Sequence, residues 1–302
     1  MARSNKSDFD CCYWHNIGGY MPLKTRQKIM IARMIQCPII FFRKFFGLST
    51  FPVVKRKGLI WNLDLSEGID FSIYIFGQFE VRSFHVMRSL VKRGDVVFDI
   101  GANIGAHALP LANIVGDTGR IHTFEPTAYA HSKLVQNIES NPHLIDRIKV
   151  NQVMLVSDPF HKLQDQLYSS WPLEANKQQH TKHCGRLHST KGATARTLDD
   201  YVEEEQILKV SLIKLDVDGY ELDVLRGARK VLRELRPVIL MELSPYTHTE
   251  RGQDIGDLLQ LLTTEKYSIR TQLMRKTLPL SSSQLNKVIP DGGSLNVIAI
   301  PS

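Results

Sequence analysis

No run of this chain is long and apolar enough to span a bilayer as a helix. The nearest is residues 29–46, IMIARMIQCPIIFFRKFF, where the longest uncharged run, Met34 to Phe42, is nine residues. A spanning helix needs about twenty. No small-residue cleavage site follows it, so a secretory leader is not expected. Cysteine is sparse: Cys11, Cys12, Cys37 and Cys184 show no disulfide-framework spacing, which points to a reducing compartment and a cytoplasmic protein. The main body also lacks a charge excess. Eleven Lys/Arg against Asp8 and Asp10 put the first 60 residues at +9, and the other 242 sum to −2. Phosphate-tracking domains carry a broad basic surface, so no nucleic-acid partner is expected. Internal repeats and low-complexity tracts are absent.

What remains is enough for a sizeable core: 302 residues, 43% of them hydrophobic. Two placements are open for residues 29–46, packing on the domain or lying on an anionic membrane surface as a peripheral contact. Pro38 is expected to break a sustained helix there, which favours packing. FPVVKRKGLIWNLDL (51–65) reads as a hairpin. Apolar strands and amphipathic helices then alternate. VVFDI (96–100), RIHTFEP (120–126), IKVNQVMLV (148–156), VSLIKLDVDG (210–219) and PVILMEL (237–243) read as strands. Helices are expected from Ile104 to Val115, with Pro110 weakening the middle, from Ala128 to Ile138, and over the 220–235 segment. A helix near 254–265 and strands near 267–274 and 294–300 complete the pattern. This is the signature of an α/β, Rossmann-like doubly wound, mostly parallel sheet with helices on both faces. The expected organisation is a basic N-terminal arm and β-hairpin over 1–65 and one domain over 66–302. That domain carries a polar, strand-free insertion at about 157–192, read as a lid over the substrate.

The turn in VVFDIGANIGAHALPLA (96–112) marks the first strand-to-helix crossover, where open parallel sheets bind ligands. Gly101 and Gly105 permit a sharp turn and close approach of a ligand to backbone. A dinucleotide fingerprint would need glycine where Asn103 stands, and a P-loop would need lysine after Gly105, where Ala106 follows. S-adenosylmethionine has no phosphate, and asks instead for a carboxylate near the turn and an acid on its ribose. Asp99 ends the first strand and Glu125 the second, and a carboxylate can accept from two vicinal hydroxyls. Plainer roles stand beside these: the glycines serving only turn and packing, and Glu125 capping the next helix.

FDIGANIGAHALPLA, TFEPTAYAHSKLVQNI and SLIKLDVDGYELDVLRGA followed by VILMEL, with the FGQFE approach, resemble the FkbM-type methyltransferases of the class I S-adenosylmethionine-dependent group. The resemblance covers about residues 75–245. It implies an O-methyltransferase acting on hydroxyls, commonly of sugars, glycans or glycolipids. By position it implies that Asp99, Gly101, Asn103, Gly105 and Glu125 bind the cofactor, with Glu80 near its methionine end. Where such proteins read I-D-V-E-G, this chain has Leu215-Asp216-Val217-Asp218-Gly219.

Deprotonating a sugar hydroxyl calls for a base, and the candidates are the strand-end acids Asp216 and Glu242. Lys214 is placed to hold a substrate oxygen or pair with a carboxylate, Glu242 among them. His180, His183, Cys184 and His188 in the insertion are set aside as a metal site, so no metal is expected. Trp171 is a candidate for stacking on a sugar face. The rival readings are a nicotinamide-dependent sugar enzyme and a non-enzymatic binding protein on a degenerate transferase fold.

Overall fold

The computed structural model describes residues 25–158, 160, 163–169, 172–173, 185–272, 277–278 and 281–302. Helix α1 (Thr25–Phe45) leads into the hairpin β1 (Val53–Arg56) and β2 (Leu59–Asn62), then α2 (Gly68–Phe76) and α3 (Val81–Leu90). The alternating part follows as β3 (Val96–Ile100), α4 (Ala108–Val115), β4 (Arg120–Phe124), α5 (Ala128–Glu139) and β5 (Ile148–Asn151). Four short strands come next: β6 (Val153–Leu155), β7 (Gln166–Ser169), β8 (Arg186–Ser189) and β9 (Thr194–Arg196). Then come α6 (Leu198–Glu204), β10 (Leu212–Leu215), α7 (Glu221–Arg226) and β11 (Val238–Leu243). The chain ends with α8 (Pro245–Glu250), α9 (Ile255–Thr264), β12 (Tyr267–Thr271), α10 (Ser282–Val288) and β13 (Leu295–Pro301).

Seven strands form the central sheet in the order β12-β13-β11-β10-β3-β4-β5, and only β13 runs against its neighbours. Each strand buries alternate side chains on opposite faces. Phe98, Ile100, Ile213 and Met241 pack under α7 and α9, whereas Val97, Ile121 and Leu240 pack under α4, α5 and the hairpin residue Trp61. The edge of β2 is closed by side chains. Asn141 both accepts from Ile60 N (2.9 Å) and donates to Ile60 O (2.7 Å). Asn137 accepts from Asn62 N at 2.8 Å and donates to the Ile104 carbonyl at 3.0 Å.

Five details differ from the sequence reading. Helix α1 continues through Pro38, because Pro38 and Met34, whose carbonyl loses its partner, both face solvent. Helix α4 begins at Ala108 rather than Ile104, which places Pro110 in its first turn, where the missing N–H costs little. The 148–156 segment divides at Gln152, with β5 in the main sheet and β6 paired to β9. The 220–235 helix breaks at Gly227, where a Cβ would lie 2.1 Å from the Val156 carbonyl, and ends in a wide turn over Val231–Leu235. The insertion is not strand-free: β7 and β8 pair antiparallel. Trp171, His180, His183 and Cys184 lie outside the described residues.

Candidate active site

A cavity opens at the carboxyl ends of β3, β4, β10 and β11, where the direction of sheet growth reverses. Six carboxylates line it: Glu80, Glu125, Asp216, Asp218, Glu221 and Glu242. Among the described residues its basic lining consists of Lys214 and His107. Three lining residues without glycine's freedom hold left-handed backbone, Glu80 (φ 40°), Asn103 (φ 49°) and Asp218 (φ 49°). Such conformations persist where surrounding contacts over-determine them.

Lys214 is spent on the protein. Its Nζ donates to the Gly101 carbonyl at 2.8 Å and lies 3.4 Å from Asp99 and 3.6 Å from Asp216. Burial opposes its charge, but Asp99, Asp216 and Glu80 outweigh burial and hold the ammonium above its ordinary range. Asp99, expected at the ligand, is fully buried beneath the cavity and does not line it. Among the described residues neither of its oxygens has a well-formed hydrogen bond, and the Lys214 ammonium at 3.4 Å is its compensation. Of the carboxylates open to Lys214, Asp99 and Asp216 pair with it, while Glu242 accepts from the Ser294 hydroxyl.

The first turn closes through glycine for protein contacts. At Gly101 (φ +77°) a Cβ would sit 1.8 Å from the Asp216 carbonyl, and at Gly105 (φ +87°) it would strike Leu109 and Leu134. Gly105 is absent from the cavity wall, so its role here is packing. Gly101→Ala is expected to cost about 3 kcal/mol or more of stability, from overpacking plus the left-handed backbone. Urea unfolding measures this; a loss under about 1 kcal/mol would show that the β3 and β10 ends separate easily.

Glu125 is almost wholly buried. One oxygen accepts from Asn103 N (3.0 Å), the other from Thr127 N (3.0 Å) and the Thr127 hydroxyl (2.6 Å). Burial raises its affinity for a proton against those donors. The carboxylate is thus fixed in direction, with lone pairs left for a ligand at the wall. Glu80 sits 3.8 Å from His107, whose ring packs beside Phe79. Burial works against the Glu80 charge, yet His107 and Lys214 bring it below the ordinary range.

Asp216 and Glu242 both line the cavity, and Glu242 lies in the field of Asp216. Burial raises Asp216 while Lys214 pulls against it. Burial, followed by the charges of Asp216, Glu80 and Asp218, pushes Glu242 up to about 8. Asp218 opens to solvent and still borders the cavity. Behind these, Glu221 accepts from Val217 N (3.1 Å) and Gly219 N (3.3 Å), with buried His248 at 3.1 Å. This pair fixes the Asp216–Gly219 turn. From the insertion, β7 brings Leu167, Tyr168 and Ser169 to the wall, and Asn103 donates to Ser169 at 3.3 Å.

The profile of the methyltransferase FkbM domain matches residues 99–269. The chain belongs to the FkbM methyltransferase family. Hexuronic acid methyltransferase AglP of Haloferax volcanii is 28% identical over 177 residues, a match covering 58% of this chain and 64% of AglP. The 2-O-methyltransferase NoeI of Sinorhizobium fredii is 28% identical over 186 residues, covering 58% of this chain and 74% of NoeI. A putative rRNA-methylase structure from Clostridium thermocellum aligns at a TM-score of 0.43 and 15% identity, over 73% of this chain and 94% of its own.

In this FkbM-family chain, Glu80, Gly101, Asn103, Glu125, Lys214, Asp216 and Glu242 all border one cavity. Asp99 and Gly105 stand behind it. The residues missed by sequence reasoning are Thr127, Ser294, Glu221 and His248. Glu221 had a signal, a carboxylate two residues after a glycine turn at a helix start; His248 and Ser294 had none.

Proposed function

We propose that this protein binds S-adenosylmethionine over the ends of β3 and β4 and transfers its methyl group to a hydroxyl of a sugar, glycan or glycolipid. The observation that supports this most is the sign of the cavity. Among the described residues six carboxylates line it. Against burial, His107 and Lys214 hold Glu80 charged and His248 does the same for Glu221, while burial favours a proton on the other four. The lining lysine is already engaged by Asp99, Asp216 and the Gly101 carbonyl. Such a wall suits a sulfonium and an ammonium and repels the pyrophosphate that a nicotinamide dinucleotide would bring. The donor set fits the ligand: Glu125 for the ribose hydroxyls, Phe124, Val153 and Leu155 for the adenine, and Glu80 for the methionine ammonium. The carbohydrate acceptor is inferred from the two curated relatives, one named for hexuronic acid and one for 2-O-methylation.

Bound S-adenosylmethionine supplies a methyl group with an excellent leaving group. The chain's own residues supply position and a base. The acceptor oxygen needs holding about 3 Å from the methyl carbon. Glu242 or Asp216 takes the hydroxyl proton, and a carboxyl poised near neutrality suits that step. Lys214 keeps Asp216 and the first turn in place and is a positioning residue.

Calorimetric titration with S-adenosylhomocysteine tests the cofactor assignment. Wild type should bind, and Glu125→Ala should weaken binding roughly 100-fold through lost charged hydrogen bonds. Glu125→Gln, which preserves volume but sets its amide NH2 against one of the N–H donors, should show a smaller loss of binding together with a lowered melting temperature. Absence of binding by wild type, or tighter binding of NADH, would remove the assignment.

A further inference from the structure

We infer that the outer face of α1 and the segment after it dock on an anionic lipid bilayer. From Ile29 to Phe42 the strongly polar side chains of α1 are Arg33 and Gln36, and among the described residues one stripe of the helix is covered. Ile29 and Gln36 are buried, Gln36 donates to the Leu65 carbonyl at 2.5 Å, and Arg33 donates to the Leu173 carbonyl. On the other side Met30, Met34, Phe41, Phe42, Phe45 and Phe46 face solvent. Phe41, Phe45 and Phe46 are 64%, 72% and 67% exposed. Phe41 stacks on Phe45 and Phe45 meets Phe46 edge-on, at 6.4 and 5.2 Å. Leu48, Phe51 and Val53, on the chain that leads from α1 into β1, are exposed as well. Contiguous apolar surface of this kind marks an interaction site, whereas scattered exposed side chains do not.

Charge selects the occupant. Between Cys11 and Leu63 the chain has nine Lys/Arg and no Asp or Glu. Lys44 directly precedes Phe45 on α1, and Lys55 lies two residues beyond Val53 on the same face of β1; both are exposed. A second copy meeting this patch across a two-fold axis would bring the same cations against each other with no carboxylate from this stretch between them. A bilayer with anionic headgroups supplies both halves, acyl surface for the rings and negative charge for the lysines. Among the described residues no helix is long and apolar enough to cross a membrane, so α1 lies in the interface plane.

Flotation of the full chain with vesicles tests this. Binding is expected with vesicles of phosphatidylcholine containing 30% phosphatidylserine, and should fall when NaCl rises from about 0.1 to 0.5 M. Lys44→Gln with Lys55→Gln should weaken it about 25-fold, at about fivefold per cation. Phe41→Ser with Phe45→Ser and Phe46→Ser should abolish it, with S-adenosylhomocysteine affinity and melting temperature unchanged because these side chains are in solvent. Three results would overturn the inference: no binding to the anionic vesicles, salt-independent binding equal on pure phosphatidylcholine, or a dimer that the phenylalanine variant dissolves without any vesicle binding. Because the vesicle readout needs no cofactor, it fails or stands apart from the methyltransferase reading.

Discussion

Glu242→Gln should lower methyl transfer by roughly 100- to 10,000-fold, the range for loss of a general base. Glutamine preserves shape and cannot take the proton, so S-adenosylhomocysteine affinity should stay within about threefold. Transfer of label from methyl-labelled cofactor into a host glycan pool measures the rate. The pH profile sharpens the test. With Glu242 pushed up to about 8 by burial and its acidic neighbours, the group still carries its proton at neutrality. Activity of the wild type should therefore climb about tenfold per pH unit up to about pH 8 and then level off. In Glu242→Gln that limb should vanish. If it persists there and vanishes in Asp216→Asn, Asp216 is the base; if both variants keep it, neither acid is. Stability runs the other way. Between the unfolded carboxyl value and about 8, the folded chain holds a proton that the unfolded chain has released, so stability falls as pH rises through that window. Glu242→Gln should flatten this decline in urea titrations.

Lys214→Met should be the most destabilising single change in the site. It leaves Asp99 fully buried with no hydrogen-bond donor on either oxygen, and stranding a buried charge costs about 3–5 kcal/mol. It also frees the Gly101 carbonyl. Pairing it with Asp99→Leu should recover most of the loss, since an apolar pair of similar volume replaces a buried ion pair at little net cost. Urea unfolding of the two single variants and the double variant gives the coupling directly. A Lys214→Met protein as stable as wild type, or a double variant no better than the single, would show that Asp99 finds relief elsewhere.

The strand ends were legible in the sequence because a carboxylate closing an apolar run has few reasons to be there. Asp216, Glu242 and Glu125 could each be placed at the mouth of the sheet from VSLIKLD, PVILME and RIHTFE, and all three border the cavity. The sequence could not say which acids touch the space and which support it. Asp99 lies one residue inside the end of β3 and Asp216 one residue beyond β10, and Lys214 on the neighbouring strand claims Asp99. That distinction depends on strand order, which periodicity does not encode. The glycine turn carries the same ambiguity: Gly105 could be read as room for a ligand or for packing, and a Cβ there would strike Leu109 and Leu134. Pro38 was read as a helix breaker because the sequence does not reveal which face of a helix meets water.

Asn137 grips the hairpin through Asn62 N and the first turn through the Ile104 carbonyl, both with one short planar amide. That makes the hairpin a strut for the turn that carries Asn103 and its bond to Glu125. Trimming the chain ahead of residue 66 would remove the strut together with the buried side chains of Leu59, Trp61, Leu63 and Leu65, so the turn would slacken over a core opened on that face.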